Sequence, residues 1–131
     1  MSNNKTSKVG MIGMGRMGSM VSLFFAEKGC QVYFYDISKE NIDTAEKMIQ
    51  GVNKQEYIVR QEDYQQLCDS TQSDEHPRVI IFSIPHGSPG DKCVESLRPH
   101  MARGGIILDC SNEYYGNTER RQKELTKDAI Y

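Results

Sequence analysis

Apolar residues in this chain fall into short runs, separated by longer stretches in which they recur every three or four positions. The runs are Lys8 to Ile12, Gln31 to Tyr35, a brief Glu56 to Val59, Arg78 to Ile84, and Ile106 to Leu108, which ends at Asp109. Runs of this length, rich in β-branched and aromatic residues, read as strands. The fourth has almost no polar interruption, as expected of a central strand buried on both faces, and Pro85 has to end it because proline cannot donate to a ladder. Between the runs, the spacing predicts helices over about 16–28, 38–50, 62–68, 91–100 and 118–128. In the first of these, Met17, Met20, Val21, Phe24 and Phe25 form the expected buried stripe and Gly29 the stop. Ser38 is the expected N-cap of the second and Gly51 its end. Residues 69–77 are polar and turn-rich and read as a surface loop. Strands alternating with helices predict a parallel α/β sheet.

The junction between the first run and the first helix carries the sharpest signal. Gly13-Met14-Gly15-Arg16-Met17-Gly18 follows the first strand directly, and the second strand ends on Asp36, followed by Ile37 and Ser38. Strand, glycine turn, helix, strand and acid in this order mark a dinucleotide-binding βαβ unit. Gly13 permits the tight turn, Gly15 lets backbone approach a pyrophosphate, and Gly18 lets the helix lie close to the strand. The N–H groups and positive dipole end of that helix suit phosphate. Asp36 falls about 20 residues on, where a carboxylate can accept from the adenosine ribose.

Composition narrows the picture without changing it. The chain has 131 residues, 37% hydrophobic and 26% charged, with net charge −2, so it lacks the basic footprint of a nucleic-acid or anionic-membrane binder. No apolar stretch approaches the length of a membrane span. The polar start, residues 1–7, reads as a disordered lead-in to a single domain over 8–131, and the ending looks like a cut just where a sixth strand would begin. Cys30, Cys68, Cys93 and Cys110 form no C-x-x-C pair, and His76, His86 and His100 do not join them at metal-ligand spacing. Reduced thiols in a cytoplasmic protein without a metal site are expected.

In an open parallel sheet, ligands lie beyond the carboxyl ends of the strands, at the point where strand order reverses. Three tips should meet there: the glycine turn, Ser83-Ile84-Pro85-His86-Gly87, and Asp109-Cys110-Ser111-Asn112. The amide of Asn112 can donate and accept at once, which suits a bridge between nicotinamide ribose and substrate; an Asx-turn or helix cap is the alternative. His86 is either an acid–base candidate or a solvated loop histidine. Asp109 can equally bond its own loop, and Arg120 and Arg121 read as a solvated helix face. Met14 and Met17 are either core or flank the cofactor. The candidate cofactor-binding residues are therefore Gly13, Met14, Gly15, Arg16, Met17, Gly18, Asp36, Ile37, Ser38, Ile84, Pro85, His86 and Asn112, with Asn112 also the substrate contact.

With these residues in view, the chain resembles the N-terminal domain of 6-phosphogluconate dehydrogenase, within the wider β-hydroxyacid dehydrogenase group, over about residues 8–131. Ile12 to Gly18 is similar to that family's phosphate turn and Ala26-Glu27-Lys28-Gly29 to the end of its first helix. Ile107 to Tyr114 followed by Thr118-Glu119-Arg120-Arg121 resembles its D-G-G-N-x-x-Y…T-x-R-R segment. The resemblance implies a Rossmann-type doubly wound, mainly parallel sheet with helices on both faces, and NAD or NADP as cofactor. It implies an enzyme that oxidises and decarboxylates 6-phosphogluconate to ribulose 5-phosphate, in the pentose phosphate pathway. It also implies that the G-x-S-G-G substrate loop, the catalytic lysine and glutamate and the dimer-forming helical domain would follow Tyr131, so that this stretch alone carries no catalytic residue. Cys110-Ser111 departs from the family's paired glycines and Ile84-Pro85-His86-Gly87 from its V-K-A-G loop, variants that resemble a divergent fungal branch. Asp36-Ile37-Ser38 replaces the N-R-T of NADP-dependent members, and Asp36 favours NAD, with Lys39 the nearest cation. Another β-hydroxyacid dehydrogenase, or a non-catalytic dinucleotide-binding module, are the alternatives.

Overall fold

The computed structural model describes residues 7–74, 76–84, 88–101, 105–110, 115–127 and 130, without side chains at 88–90 and 115–118. Five strands, β1 (Lys8–Ile12), β2 (Gln31–Tyr35), β3 (Ile58–Arg60), β4 (Val79–Phe82) and β5 (Ile106–Asp109), form one sheet in the order β3-β2-β1-β4-β5. Every neighbouring pair is parallel. The chain begins at the centre, steps outward to β3, and crosses back to place β4 on the other side of β1. Strand order reverses there, and the crossovers are the helices α1 (Arg16–Glu27), α2 (Lys39–Gly51), α3 (Tyr64–Ser70) and α4 (Ser88–Leu97), with α5 (Tyr115–Thr126) after β5.

Alternation along the strands divides the core into two layers, because successive side chains point to opposite faces. Val9, Met11, Val32, Phe34 and Ile81 pack with Ala26 of α1 and with Ile42, Ala45 and Ile49 of α2. Ile12, Ile80 and Phe82 face the other way, onto Leu67 and Cys68 of α3 and Cys93 and Leu97 of α4. Both faces of the central strands are thus covered, which is why β4 reads as an unbroken apolar run.

The structure revises several expectations. The buried face of α1 is Gly18, Ser22 and Ala26, while Met17, Met20 and Phe24 are more than half exposed. Small residues four apart let this helix lie against the sheet, and its large apolar side chains are left on the outer side; only Val21 and Phe25 of the expected stripe pack partly against the core. Gly51 is the last residue of α2 rather than its stop, and the left-handed turn falls on Asn53 at φ 60°. Gly29, at φ 83°, does end α1 as expected. β3 and α3 each lie about two residues later than their sequence signals, since Asp63 supplies the cap of α3 by accepting from the Gln66 N–H at 2.8 Å. The fourth helix begins at Ser88, and a 3-10 turn over Arg98–His100 replaces its last residues, because the residue before Pro99 is disfavoured in α conformation. α5 starts at Tyr115 and ends at Thr126. Ser7, expected in the lead-in, extends the ladder: its carbonyl accepts from the Gln31 N–H at 2.8 Å.

Candidate functional site

Backbone hydrogen bonds continue the sheet one step past the strand ends and hold three loops side by side. The Gly13 N–H donates to the Tyr35 carbonyl at 3.0 Å, the Ser83 N–H to Ile12 at 2.8 Å, and the Cys110 N–H to Phe82 at 2.9 Å. The glycine turn, Ser83-Ile84 and Asp109-Cys110 therefore share the carboxyl edge of the sheet, beside the point where strand order reverses. Pro85, His86 and Asn112 lie outside the described residues.

Each glycine of the turn has its own cause. Gly13 sits at φ 100°, and a Cβ there would overlap the Ser83 carbonyl. A Cβ on Gly18 would overlap the Gly13 carbonyl, so α1 is pressed against the turn it leaves. At Gly15, by contrast, a Cβ would meet nothing within 4 Å. Among the described residues nothing requires a glycine there, and what it leaves is bare backbone facing open space.

That space opens at the start of α1. Gly15 is its N-cap, among the described residues no side chain caps the first-turn N–H groups, and no acidic residue lies in the first turn. A helix start leaves four N–H groups without intrahelical partners. The two neighbouring helices satisfy some of theirs internally: Ser38 Oγ accepts from the Asn41 N–H at 3.2 Å in α2, and Asp63 does the same in α3. A phosphate can take the corresponding place at α1.

Asp36, only 7% exposed, is more committed than its sequence position suggests. Its Oδ2 accepts from the Met14 N–H at 2.7 Å and from Asn41 Nδ2 at 3.1 Å, and its Oδ1 from the Ser38 N–H at 2.8 Å. The carboxylate thus ties the glycine turn to the start of α2. Met14 serves from behind: its side chain is buried in the core and takes a contact from Ser22 Oγ at 3.4 Å. Ile37 is 81% exposed at the rim, and Arg16 and Met17 are exposed on the first turn of α1. Lys39 is paired with Asp43 at 3.2 Å.

Together these groups border a cleft of about 590 Å³. Gly13, Gly15, Asp36, Ile37 and Asn41 line it from the glycine turn and α2, and Ser83, Ile84, Lys92, Cys93 and Ser96 from β4 and α4. Tyr64 of α3 also reaches it, its ring edge-on to Tyr35 at 4.9 Å. Burial raises the Tyr64 phenol above its ordinary range and pushes the Cys93 thiol up to about 12, so both stay protonated at neutral pH. These two groups offer neither a nucleophile nor a base. Among the described residues no His, Cys, Asp or Glu cluster could hold a metal ion, and no helix is long and apolar enough to cross a membrane.

Sequence reasoning missed Asn41, Tyr64, Lys92, Cys93 and Ser96. Only Asn41 had a signal, three residues after the Ser38 cap. It also misread Arg121, which is 7% exposed rather than on a solvated face. Its Nε donates to Asp91 Oδ1 at 2.8 Å and its Nη1 to Asp109 Oδ2 at 3.4 Å, while Arg120 Nη2 reaches Asp91 at 3.0 Å. α5 is therefore clamped to α4 and to the tip of β5.

Strand order, glycine turn and uncapped helix start define a Rossmann-type dinucleotide-binding domain. The model of the NAD binding domain of 6-phosphogluconate dehydrogenase matches residues 8–131, and the chain belongs to that family. It is 36% identical over 124 residues to the NAD(+)-dependent, decarboxylating 6-phosphogluconate dehydrogenase of Bacillus subtilis (strain 168), and 30% identical to the NADP(+)-dependent enzyme of the same organism. Each match covers 95% of this chain and 25% of the relative, so the chain spans about a quarter of their length. Among solved structures, Plasmodium falciparum 6-phosphogluconate dehydrogenase, described with NADP+ and with 6-phosphogluconate, superposes with a TM-score of 0.82 at 26% identity. That match covers 94% of this chain and 25% of the other. NAD and NADP are thus both cofactors of its relatives.

Proposed function

We propose that this chain is the cofactor-binding part of an NAD(P)-dependent dehydrogenase and that it prefers NAD. The dinucleotide supplies the hydride acceptor. Gly13 to Gly18 take the pyrophosphate against the start of α1, Asp36 to Ser38 take the adenosine ribose, and Ile84 with Pro85 and His86 border the nicotinamide side. Asn112 bridges nicotinamide ribose and substrate. In the complete protein the reaction is oxidation of 6-phosphogluconate and its decarboxylation to ribulose 5-phosphate, in the cytoplasm, with a dimer formed by chain outside this domain.

The observation that carries this reading is Gly15: open space above its Cα, beside a helix start with no side-chain cap. The preference for NAD rests on Asp36, which would repel a 2′-phosphate, and on Ile37, exposed where NADP-dependent members carry arginine. Catalysis needs a base for the substrate hydroxyl; Tyr64 and Cys93 are held protonated, and the family resemblance implies a base elsewhere than His86, in the part of the chain that follows this domain in the family. The 131-residue chain should therefore bind cofactor without forming NAD(P)H from 6-phosphogluconate.

Binding stabilises the folded state by mass action, so the thermal midpoint should rise with NADH concentration, and more than with NADPH. Gly15→Val should remove the rise. A melting curve that no dinucleotide moves, together with flat titration calorimetry, would overturn the proposal; equal or larger shifts with NADPH would overturn the preference.

A further inference from the structure

The acid at the end of β2 is usually pictured as a free carboxylate waiting for the ribose. Here it is not free. An ionised carboxylate offers about four acceptor positions, and Asp36 has already filled three of them, with Met14 N–H, Ser38 N–H and Asn41 Nδ2. What remains is one position on Oδ1, enough for one hydroxyl. The adenosine ribose of NAD presents two.

Asn41 lines the same cleft beside Asp36. Its amide orientation is set by its partner: the Nδ2 that faces Asp36 Oδ2 at 3.1 Å has to be the nitrogen, since an amide oxygen there would face a carboxylate oxygen. The residue's place is fixed as well, because its own N–H is held by Ser38 Oγ at 3.2 Å in the first turn of α2. With one Nδ2 hydrogen committed to Asp36, Asn41 keeps for a ligand its second Nδ2 hydrogen and its carbonyl oxygen, a neutral acceptor beside the carboxylate.

We infer that Asn41 is a specificity-determining residue of the dinucleotide site: its Oδ1 accepts from one adenosine-ribose hydroxyl while Asp36 Oδ1 accepts from the other. This rests on the dinucleotide reading above and divides the ribose between an amide and a carboxylate. Two adjacent acceptors read two hydroxyl donors. A 2′-phosphate has only acceptor oxygens and negative charge, so the Asp36 carboxylate repels it and the Asn41 carbonyl oxygen gives it no donor.

The test uses Asn41→Ala and Asn41→Ser in the 131-residue chain, with Glu40→Ala on the same exposed turn as a control. Dissociation constants are measured for NADH and for its 2′-deoxy and 3′-deoxy analogues, both altered in the adenosine ribose. Melting without ligand confirms that each variant is folded. For wild type, both analogues bind about tenfold more weakly than NADH, each having lost one hydroxyl contact. Asn41→Ala weakens NADH about tenfold, leaves one of the two analogues unchanged, and narrows the ratio of NADPH to NADH dissociation constants; Asn41→Ser behaves alike and Glu40→Ala does nothing. Equal weakening of all three ligands would show that Asn41 only supports Asp36, and no weakening would show that it is idle; either result overturns the inference and leaves the dinucleotide reading intact. A wild-type chain that binds none of the three would instead overturn the dinucleotide reading itself.

Discussion

The two rims of the cleft are held by different forces. On the near rim, backbone packing without side chains presses α1 and Ser83 against the glycine turn, and one buried carboxylate accepting neutral N–H donors ties that turn to the start of α2. Behind the far rim, α4, which borders the cleft, is joined to β5 and α5 by ionised pairs among Asp91, Asp109, Arg120 and Arg121, with Asp91 and Arg120 both about half exposed. Steric fit is indifferent to salt and has no tolerance for added atoms. Charge pairs tolerate small displacements and weaken when either partner is neutralised or screened. The near rim fixes where a phosphate can go to within a hydrogen-bond length, while the far rim fixes how α5 and the β5 tip stand to one another. The first is suited to a rigid ligand group, the second to a boundary that can adjust.

The comparison predicts its largest effects at Gly18 and Gly13. Alanine is favoured over glycine inside a helix by about 1 kcal/mol, yet here its Cβ would overlap the Gly13 carbonyl. The overlap is with backbone and cannot be relieved by a rotamer, so Gly18→Ala should destabilise the fold by about 3 kcal/mol or more. Gly13→Ala, with a positive φ added to an overlap, should be at least as damaging. Gly15→Ala should change stability by less than about 1 kcal/mol while weakening dinucleotide binding. Urea denaturation of the three variants checks this, and a Gly18→Ala domain as stable as wild type would break the picture of a sterically fixed rim.

Next in size is the far rim. Arg121 is nearly buried, and removing it leaves Asp109, itself only 17% exposed, with one charge partner fewer. Arg121→Ala should cost about 2–3 kcal/mol, the lower side of what breaking a buried pair costs, because Asp91 is 43% exposed and screened by water. The pH dependence has a definite sign. Hydrogen bonding to Arg121, then to Arg120, holds the Asp91 carboxyl below its ordinary value despite partial desolvation. A carboxylate depressed in the folded state stabilises above its unfolded pKa of about 4, and that contribution is lost as pH falls through the lowered folded value. Hydrogen exchange should therefore show α5 loosening before α1 as pH drops from 6 to 3, and a smaller pH-dependent loosening of α5 in Arg121→Ala, where Arg120 alone still faces Asp91.

How much of this was legible in the sequence differs between the rims for the same reason. The near rim is made by local order along the chain, and Gly13, Gly15, Gly18 and Asp36 announce it together. The strand runs also gave the parallel sheet, since both faces of β4 are covered. The rest depends on contacts between distant segments. Arg121 looks like any charged helix residue until α4 brings Asp91 to it, 30 positions away. Met17, Met20 and Phe24 satisfy helical periodicity, but the face that meets the sheet is chosen by Gly18, because only a residue without a side chain fits under the Gly13 carbonyl. Apolar count pointed to one face of α1 and steric fit selected another. The commitment of Asp36 was equally hidden, since a carboxylate at that position looks identical whether its acceptors are open or filled.

A smaller effect separates α2 from α1. Ser38 closes the start of α2 with its own hydroxyl, and Ser38→Ala should cost about 1 kcal/mol, the usual loss of an N-cap. The corresponding substitution at α1, Gly15→Ser, adds a hydroxyl where no cap exists. It should leave stability nearly unchanged and compete with phosphate, so NADH affinity should fall even though the helix has gained a capping side chain. If Gly15→Ser bound NADH as well as wild type, the α1 start would not be the phosphate site.

The smallest effect expected is at Lys39, and it tests whether the near rim holds a cation in reserve. The side chain is 80% exposed and pairs with Asp43 one turn along α2, at 3.2 Å. An exposed pair at this spacing contributes only about 0.3–0.5 kcal/mol, so Lys39→Ala should be close to neutral in stability. Its consequence for cofactor choice is equally definite. If Lys39 stays with Asp43, the rim next to Ile37 presents no cation from this turn to a 2′-phosphate, and the substitution leaves the NADPH dissociation constant unchanged within twofold or so. If Lys39 instead leaves Asp43 for the phosphate, NADPH binding weakens about tenfold on its loss while NADH binding does not. The first result is the expected one. The second would mean that the near rim, for all its steric rigidity, carries one mobile charge, and that a flexible side chain outside the backbone frame contributes to the choice between NAD and NADP.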